Sequence, residues 1–279
     1  MKKVLVIGGF DPSGGAGLQI DLLTLTELGV FPFTIATAVT IQNSKNVSDV
    51  YALPSKIILE QIQTILQDGR VDAIKIGMLG TEKNVLTIAD FLNKTNIERV
   101  IDPVFEASKA GPERSRGGFP LLSPDAIPAF KEHLLPLATV LTPNLMEAQK
   151  LVLSPSTSLG INSVEGSTKF RIRSVSDMKT AAQALHKLGP KWVLVKGGHL
   201  AHDKLTDILY NGKDFFEFPH ERVRARDVRG TGCIFSSALA GFLASGHSVP
   251  EATQLAQEYT LKKIKTALKI GKGRPQAWL

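Results

Sequence analysis

A chain of 279 residues with 43% hydrophobic content has enough apolar side chain for a large buried core. Its formal charge of +7 is dispersed, and three Tyr and two Trp are too few to interleave with it as a nucleic-acid surface. No stretch is long and apolar enough to span a bilayer, and one cysteine, Cys233, excludes an intrachain disulfide or a cysteine-built metal site and fits a reducing, cytoplasmic setting.

Residues 4–9 form an apolar run too short for a signal-peptide core, and they read as a buried first strand. A glycine-rich loop follows at Phe10-Asp11-Pro12-Ser13-Gly14-Gly15-Ala16-Gly17. Leu18, Leu22, Leu25 and Leu28 then recur at helical spacing until Gly29 stops the run. Residues 34–41 predict a second strand ending at the polar tip Gln42-Asn43-Ser44. Residues 55–67 and 82–92 predict helices, with Ala73-Ile74-Lys75-Ile76-Gly77-Met78-Leu79 a strand and its exit between them.

Arg99-Val100-Ile101-Asp102-Pro103-Val104 is a strand running into a loop, and residues 105–123 lack periodicity and predict a mobile functional loop. Residues 124–135 are helical. Residues 138–142 form a strand that ends at Pro143-Asn144-Leu145-Met146-Glu147, the opening of another helix. Residues 153–175 read as a surface excursion and residues 176–188 as a helix capped by Ser176. Trp192 to Gly198 is strand and turn, and Asn211-Gly212 between two apolar runs signals a hairpin. Helices at 236–245 and 250–268 close the pattern. Strand and helix alternate without a linker, which predicts one α/β domain over residues 1–279, doubly wound around a mostly parallel sheet.

Chemistry concentrates at Gly230-Thr231-Gly232-Cys233. Glycines ahead of a helix let backbone N–H groups hold an anion, and a thiol on the first turn is expected to have a lowered pKa. The basic run at residues 222–226 leads into this loop and reads as attraction for a small polyanion. The first glycine loop matches neither a dinucleotide fingerprint nor a Walker A loop, but Asp11 stands at a strand's carboxyl end, placed to accept from a substrate hydroxyl or amine. Asn144 and Glu147 share a helix-start face, either as oxygen ligands for water-held Mg²⁺ or as a capping box. Lys196 ends a strand and is either a phosphate partner or a solvated lysine. Together they offer what phosphoryl transfer from ATP requires: anion-holding amides, a magnesium-positioning carboxylate and a group at the acceptor hydroxyl.

These motifs, in this order along the chain, resemble the bacterial hydroxymethylpyrimidine/phosphomethylpyrimidine kinases of thiamine biosynthesis, within the ribokinase-like superfamily. The resemblance implies ATP- and Mg²⁺-dependent phosphorylation of 4-amino-5-hydroxymethyl-2-methylpyrimidine and then of its monophosphate, by a homodimer. It implies that Gln42 bonds the aminopyrimidine, while Gly9, Met78 and Val104 line its pocket beside Asp11. It further implies an anion hole at Gly230, Gly232 and Cys233, with Asn144 and Glu147 organising magnesium and phosphates and Thr231 and Lys196 on the ATP side. Phe10 replaces the usual Ser or Thr, Val228-Arg229 replaces Thr-His, and residues 110–119 are inserted. A pyridoxal kinase of the same superfamily and a non-catalytic pyrimidine sensor are the competing readings.

Overall fold

The computed structural model describes residues 1–107, 118–153, 170–198, 204–223 and 228–277. The apolar runs become β1 (Lys3–Phe10), β2 (Phe31–Gln42), β3 (Val47–Ala52), β4 (Ala73–Ile76) and β5 (Glu98–Ile101). A two-residue pair, β6 (Glu106–Ala107) with β7 (Phe119–Pro120), stands apart from them. The main sheet continues with β8 (Val140–Leu141), β9 (Trp192–Val195), β10 (Lys204–Tyr210) and β11 (Phe215–Glu221). Its nine strands lie in the order β11-β10-β9-β8-β5-β4-β1-β2-β3. Pairing is parallel from β9 through to β2, and β3, β10 and β11 are antiparallel edges.

Alternation along β1 explains why both faces are covered. Leu5 and Ile7 enter one apolar core, whereas Val4 and Val6 enter another on the opposite face. The first core is closed by α2 (Ser55–Asp68), α3 (Glu82–Leu92), α4 (Ala126–Ala129) with its continuation to Leu137, α5 (Leu145–Leu153) and α6 (Val175–His186). The second is closed by α1 (Gly17–Glu27), α7 (Thr231–Ala244) and α8 (Val249–Lys265). All four of these β1 side chains are fully buried, each worth roughly 1.5–3 kcal/mol of transfer free energy.

Several local expectations change. Leu22 is 41% exposed, and α1 instead buries Asp21 and Thr24 beside Leu18 and Leu25. The cause is an ion partner for Asp21 inside the fold, which leucine spacing does not reveal. The α6 cap is Ser174, in a reciprocal box with Asp177, rather than Ser176. β3 carries exposed Ser48, Asp49 and Tyr51 and so has no apolar run to read. The Asn211-Gly212 hairpin forms, with Asn211 Oδ1 accepting from the Lys213 and Asp214 amides. Residues 108–117 and 154–169, which carry most of the expected loop, insertion and excursion, lie outside the described residues, as do His199 and residues 224–227.

After α8 the chain turns back across the carboxyl ends of the strands. Leu268 and Gln276 exchange backbone hydrogen bonds, the Arg229 amide donates to Pro275, and the Gly273 and Arg274 amides donate to Ser44 in the β2–β3 turn. This tail thereby touches two loops that come from opposite ends of the sequence.

Candidate functional site

The order of the parallel strands reverses between β4 and β1, and an open α/β sheet leaves a crevice beyond the carboxyl ends of its strands at such a point. A cavity of about 330 Å³ occupies it. Gly9 and Asp11 enter at the end of β1, Gln42 at β2 and Met78 after β4. Val104 follows β5, Asn144 and Glu147 follow β8, Lys196 follows β9, and Gly230, Thr231, Gly232 and Cys233 come from the start of α7. Twelve side chains and glycines expected from sequence thus line one space.

Two glycines show why the walls fit. A Cβ on Gly9 would stand 2.7 Å from the Met78 sulfur, so a larger residue there would push Met78 out of its place on the wall. Gly230 caps α7 in a left-handed conformation (φ 77°), and a Cβ on it would collide with the Gly15 carbonyl. The two glycine loops therefore touch. The first-turn amides of Thr231, Gly232 and Cys233 have no carbonyl of their own helix to bond, which leaves donors and a positive dipole end at the cavity.

Arg229 joins these loops. Its side chain is 6% exposed and reaches Asp11 Oδ2 at 3.2 Å and Ser13 Oγ at 2.9 Å. Ser13 also donates to Asp11 Oδ1 through both its amide and its hydroxyl. The Asp11 carboxylate, expected to receive a substrate group, is thus already engaged. Phe10 lines the cavity with its ring 41% exposed, and its carbonyl accepts from Thr40 Oγ1.

Behind the thiol lies a buried ion pair. Lys75 Nζ donates to both Asp21 oxygens at 3.0 and 2.9 Å, and Ser237 Oγ donates to Asp21 Oδ1 at 2.7 Å. Burial works against the Lys75 charge, but Asp21, Cys233 and Asp102 together outweigh it and the ammonium is held above its ordinary pKa. Burial drives the Asp21 carboxyl upward, while Lys75 and Ser237 pull it back. Cys233 does not follow the helix-start expectation. Burial pushes its thiol up to about 11; Lys75 and the Gly17 amide oppose this, and the Asp21 and Asp102 carboxyls add to it.

At the other end, Lys196 Nζ meets Asp102 Oδ1 at 2.9 Å, and Thr142 and Ser236 hydroxyls also donate to Asp102. A Cβ on Gly232 would lie 3.6 Å from Lys196 Nζ, which sets this pair above the first turn of α7. Asn144 and Glu147 form the capping box. Asn144 Oδ1 accepts from the Met146 and Glu147 amides, and Glu147 Oε2 accepts from the Asn144 amide at 2.8 Å. Burial raises the Glu147 carboxyl to about 8; Lys196 opposes this and Asp102 reinforces it. Burial also works against the charge on Lys196, and Asp102 and Glu147 overcome it.

Asp21, Lys75 and Ser237 were not singled out from sequence as site residues, and Asp102 was seen only as part of a motif. The available signal was a charged residue inside an otherwise apolar segment, Lys75 in β4 and Asp21 in α1.

Comparison with known proteins gives a consistent picture. The phosphomethylpyrimidine kinase family profile matches residues 11–277. The hydroxymethylpyrimidine/phosphomethylpyrimidine kinase of Mycobacterium tuberculosis is 36% identical over 274 residues, covering 97% of this chain and 91% of that one. The pyridoxal kinase from Staphylococcus aureus in complex with AMP-PCP and pyridoxal superposes with a TM-score of 0.83 at 32% identity, covering 99% and 93% of the two chains. The phosphomethylpyrimidine kinase from Clostridium difficile 630 gives 0.76 at 35% identity, covering 95% and 100%.

Proposed function

The chain belongs to the phosphomethylpyrimidine kinase family, and from that premise we propose that it transfers the γ-phosphate of ATP to the hydroxymethyl group of 4-amino-5-hydroxymethyl-2-methylpyrimidine and then to the resulting monophosphate, in thiamine biosynthesis. The observation that carries this reading is the cavity at the carboxyl edge of the sheet, which all twelve expected site residues line.

Gln42, with an amide that both donates and accepts, is assigned to the aminopyrimidine edge, between Gly9, Met78 and Val104. The ring's hydroxymethyl group then points to the start of α7, where the amides of Gly230, Thr231, Gly232 and Cys233 hold the transferring phosphoryl group. Desolvation holds the Cys233 thiol above its ordinary pKa, at about 11, which disfavours a resting thiolate base at neutral pH. We assign it to orienting the acceptor hydroxyl. A loose phosphoryl-transfer transition state asks little of a base before bond formation is advanced.

Lys196 and Thr231 take the nucleotide side. Asp102 and Glu147 supply only oxygen donors and place two carboxyl groups around one ammonium, a donor set and a charge deficit that fit a magnesium ion held partly through water. Asn144 serves that site by fixing Glu147 through the cap. Such an ion, when bound, neutralises phosphate charge.

The lone cysteine favours a cytoplasmic protein, and no helix of the described residues is long and apolar enough to cross a membrane. Val39 and Tyr51 pair across β2 and β3 beside Ile41, an exposed apolar patch that a homodimer would cover.

A pyridoxal kinase activity is the second reading, favoured by the higher TM-score of the Staphylococcus aureus structure, 0.83 against 0.76. Mass-spectrometric product profiles with ATP and each acceptor separate the two. The expected products are the pyrimidine mono- and diphosphate, and faster turnover of pyridoxal overturns the assignment.

A further inference from the structure

Among the described residues Lys75–Asp21, Lys196–Asp102 and Arg229–Asp11 are ion pairs on the cavity wall, and they differ in tightness. Lys75–Asp21 and Lys196–Asp102 close at 2.9 Å, whereas Arg229 touches Asp11 through one nitrogen at 3.2 Å. Lys75 uses both oxygens of its partner and Lys196 belongs to the nucleotide end, so of these three pairs the one most readily exchanged at the acceptor end is that of Arg229. Its guanidinium lies over Gly15, 3.1 Å from where a Cβ would be, and the Gly15 carbonyl abuts Gly230. Arg229 and the first turn of α7 thus line the same cavity from adjoining loops, on the side to which the reading above assigns the acceptor's reacting group.

The two acceptors differ most in charge. The alcohol is neutral, whereas its monophosphate brings roughly −1.5 to −2 at neutral pH. It brings that charge into a space where Asp11, Asp21 and Asp102 already engage Arg229, Lys75 and Lys196. A planar guanidinium matches phosphate oxygens, and Asp11 keeps it extended and buried until an anion arrives.

Resting on the reading above, we propose that Arg229 is a specificity residue for the phosphorylated acceptor: the monophosphate displaces Asp11 from its guanidinium, and the alcohol leaves that pair intact. In the second transfer an oxygen of the bound monophosphate attacks the γ-phosphorus of ATP. A new P–O bond forms there, the bond to the β-phosphate oxygen breaks, and ADP leaves with that electron pair. Arg229 neutralises the attacking phosphate.

The test measures kcat/KM of the full chain for synthetic alcohol and monophosphate separately. Arg229→Gln is expected to lower the monophosphate value roughly 10- to 100-fold more than the alcohol value, the scale of a lost charge-assisted hydrogen bond. Arg229→Lys, which keeps the charge without the fork, falls between, and it carries the test if the glutamine variant fails to fold. Asp11→Asn, which frees the guanidinium, shifts the ratio toward the monophosphate. Equal losses on both acceptors in both Arg229 variants make Arg229 a loop tie only and overturn the proposal. A selective monophosphate loss in Arg274→Gln, on the tail across the cavity, with none in the Arg229 variants, does the same. Wild-type protein that phosphorylates neither pyrimidine instead removes the functional reading itself, and wild-type activity on the alcohol alone removes this proposal together with the second transfer of that reading.

Discussion

At the acceptor end of the cavity two ion pairs are one-to-one, Arg229 on Asp11 and Lys75 on Asp21, while at the donor end Lys196 faces both Asp102 and Glu147. The first arrangement is balanced without a ligand and holds loops and strands in place. The second carries surplus negative charge, which the protein relieves by keeping the Glu147 proton to about pH 8. A balanced end suits a small organic acceptor, and a carboxylate-rich end suits a nucleotide arriving with a divalent ion. The same residue types therefore do opposite work within one space, and the count of partners decides which.

The contrast is broken most severely at Lys75. Lys75→Met leaves Asp21 buried without its ammonium and is expected to cost about 3–5 kcal/mol in urea-induced unfolding, whereas adding Asp21→Leu restores much of the loss. A single-variant cost below about 1 kcal/mol would mean that Asp21 escapes to water.

Between the ends stands Cys233. Cys233→Ala is expected to lower turnover about 100-fold, the scale of a misplaced reactant, with a smaller change in ATP binding. In the wild type, the rate of iodoacetamide labelling should keep climbing toward pH 11, and a plateau near pH 8 would restore a low-pKa thiolate.

The smallest effect sharpens the donor end. The folded chain holds the Glu147 proton to about pH 8, and the unfolded chain releases it near 4.5, so unliganded stability falls as pH rises through that window. Comparing wild type with Glu147→Gln at pH 5 and pH 8 should expose a difference on the order of 2 kcal/mol, with the variant flatter. Parallel profiles would show that Glu147 is ionised throughout.

Most of the sheet could be read from residue order, because parallel strands are continuous apolar runs and their polar exits are short; the resemblance to a known family added the residues that now line one cavity with them. What escaped reading depends on distant partners. Leu22 lies on the leucine spacing yet faces outward, because Asp21 takes the inner position to reach Lys75. The Cys233 pKa runs against the helix-start rule because burial is a property of the whole fold. Residues 268–277 have no periodicity, and their docking is set by loops from the other end of the sequence.

That docking bears on how the protein acquires its site. Asp11 and Arg229 are 218 residues apart in sequence, and Ser44 and Gly273 are 229 apart. The cavity wall is thus assembled from both ends of the chain and exists only while these distant loops stay docked. Pyrimidine binding then reports whether both ends of the fold have met, and substrate shields the tail from proteolysis before it stabilises the sheet.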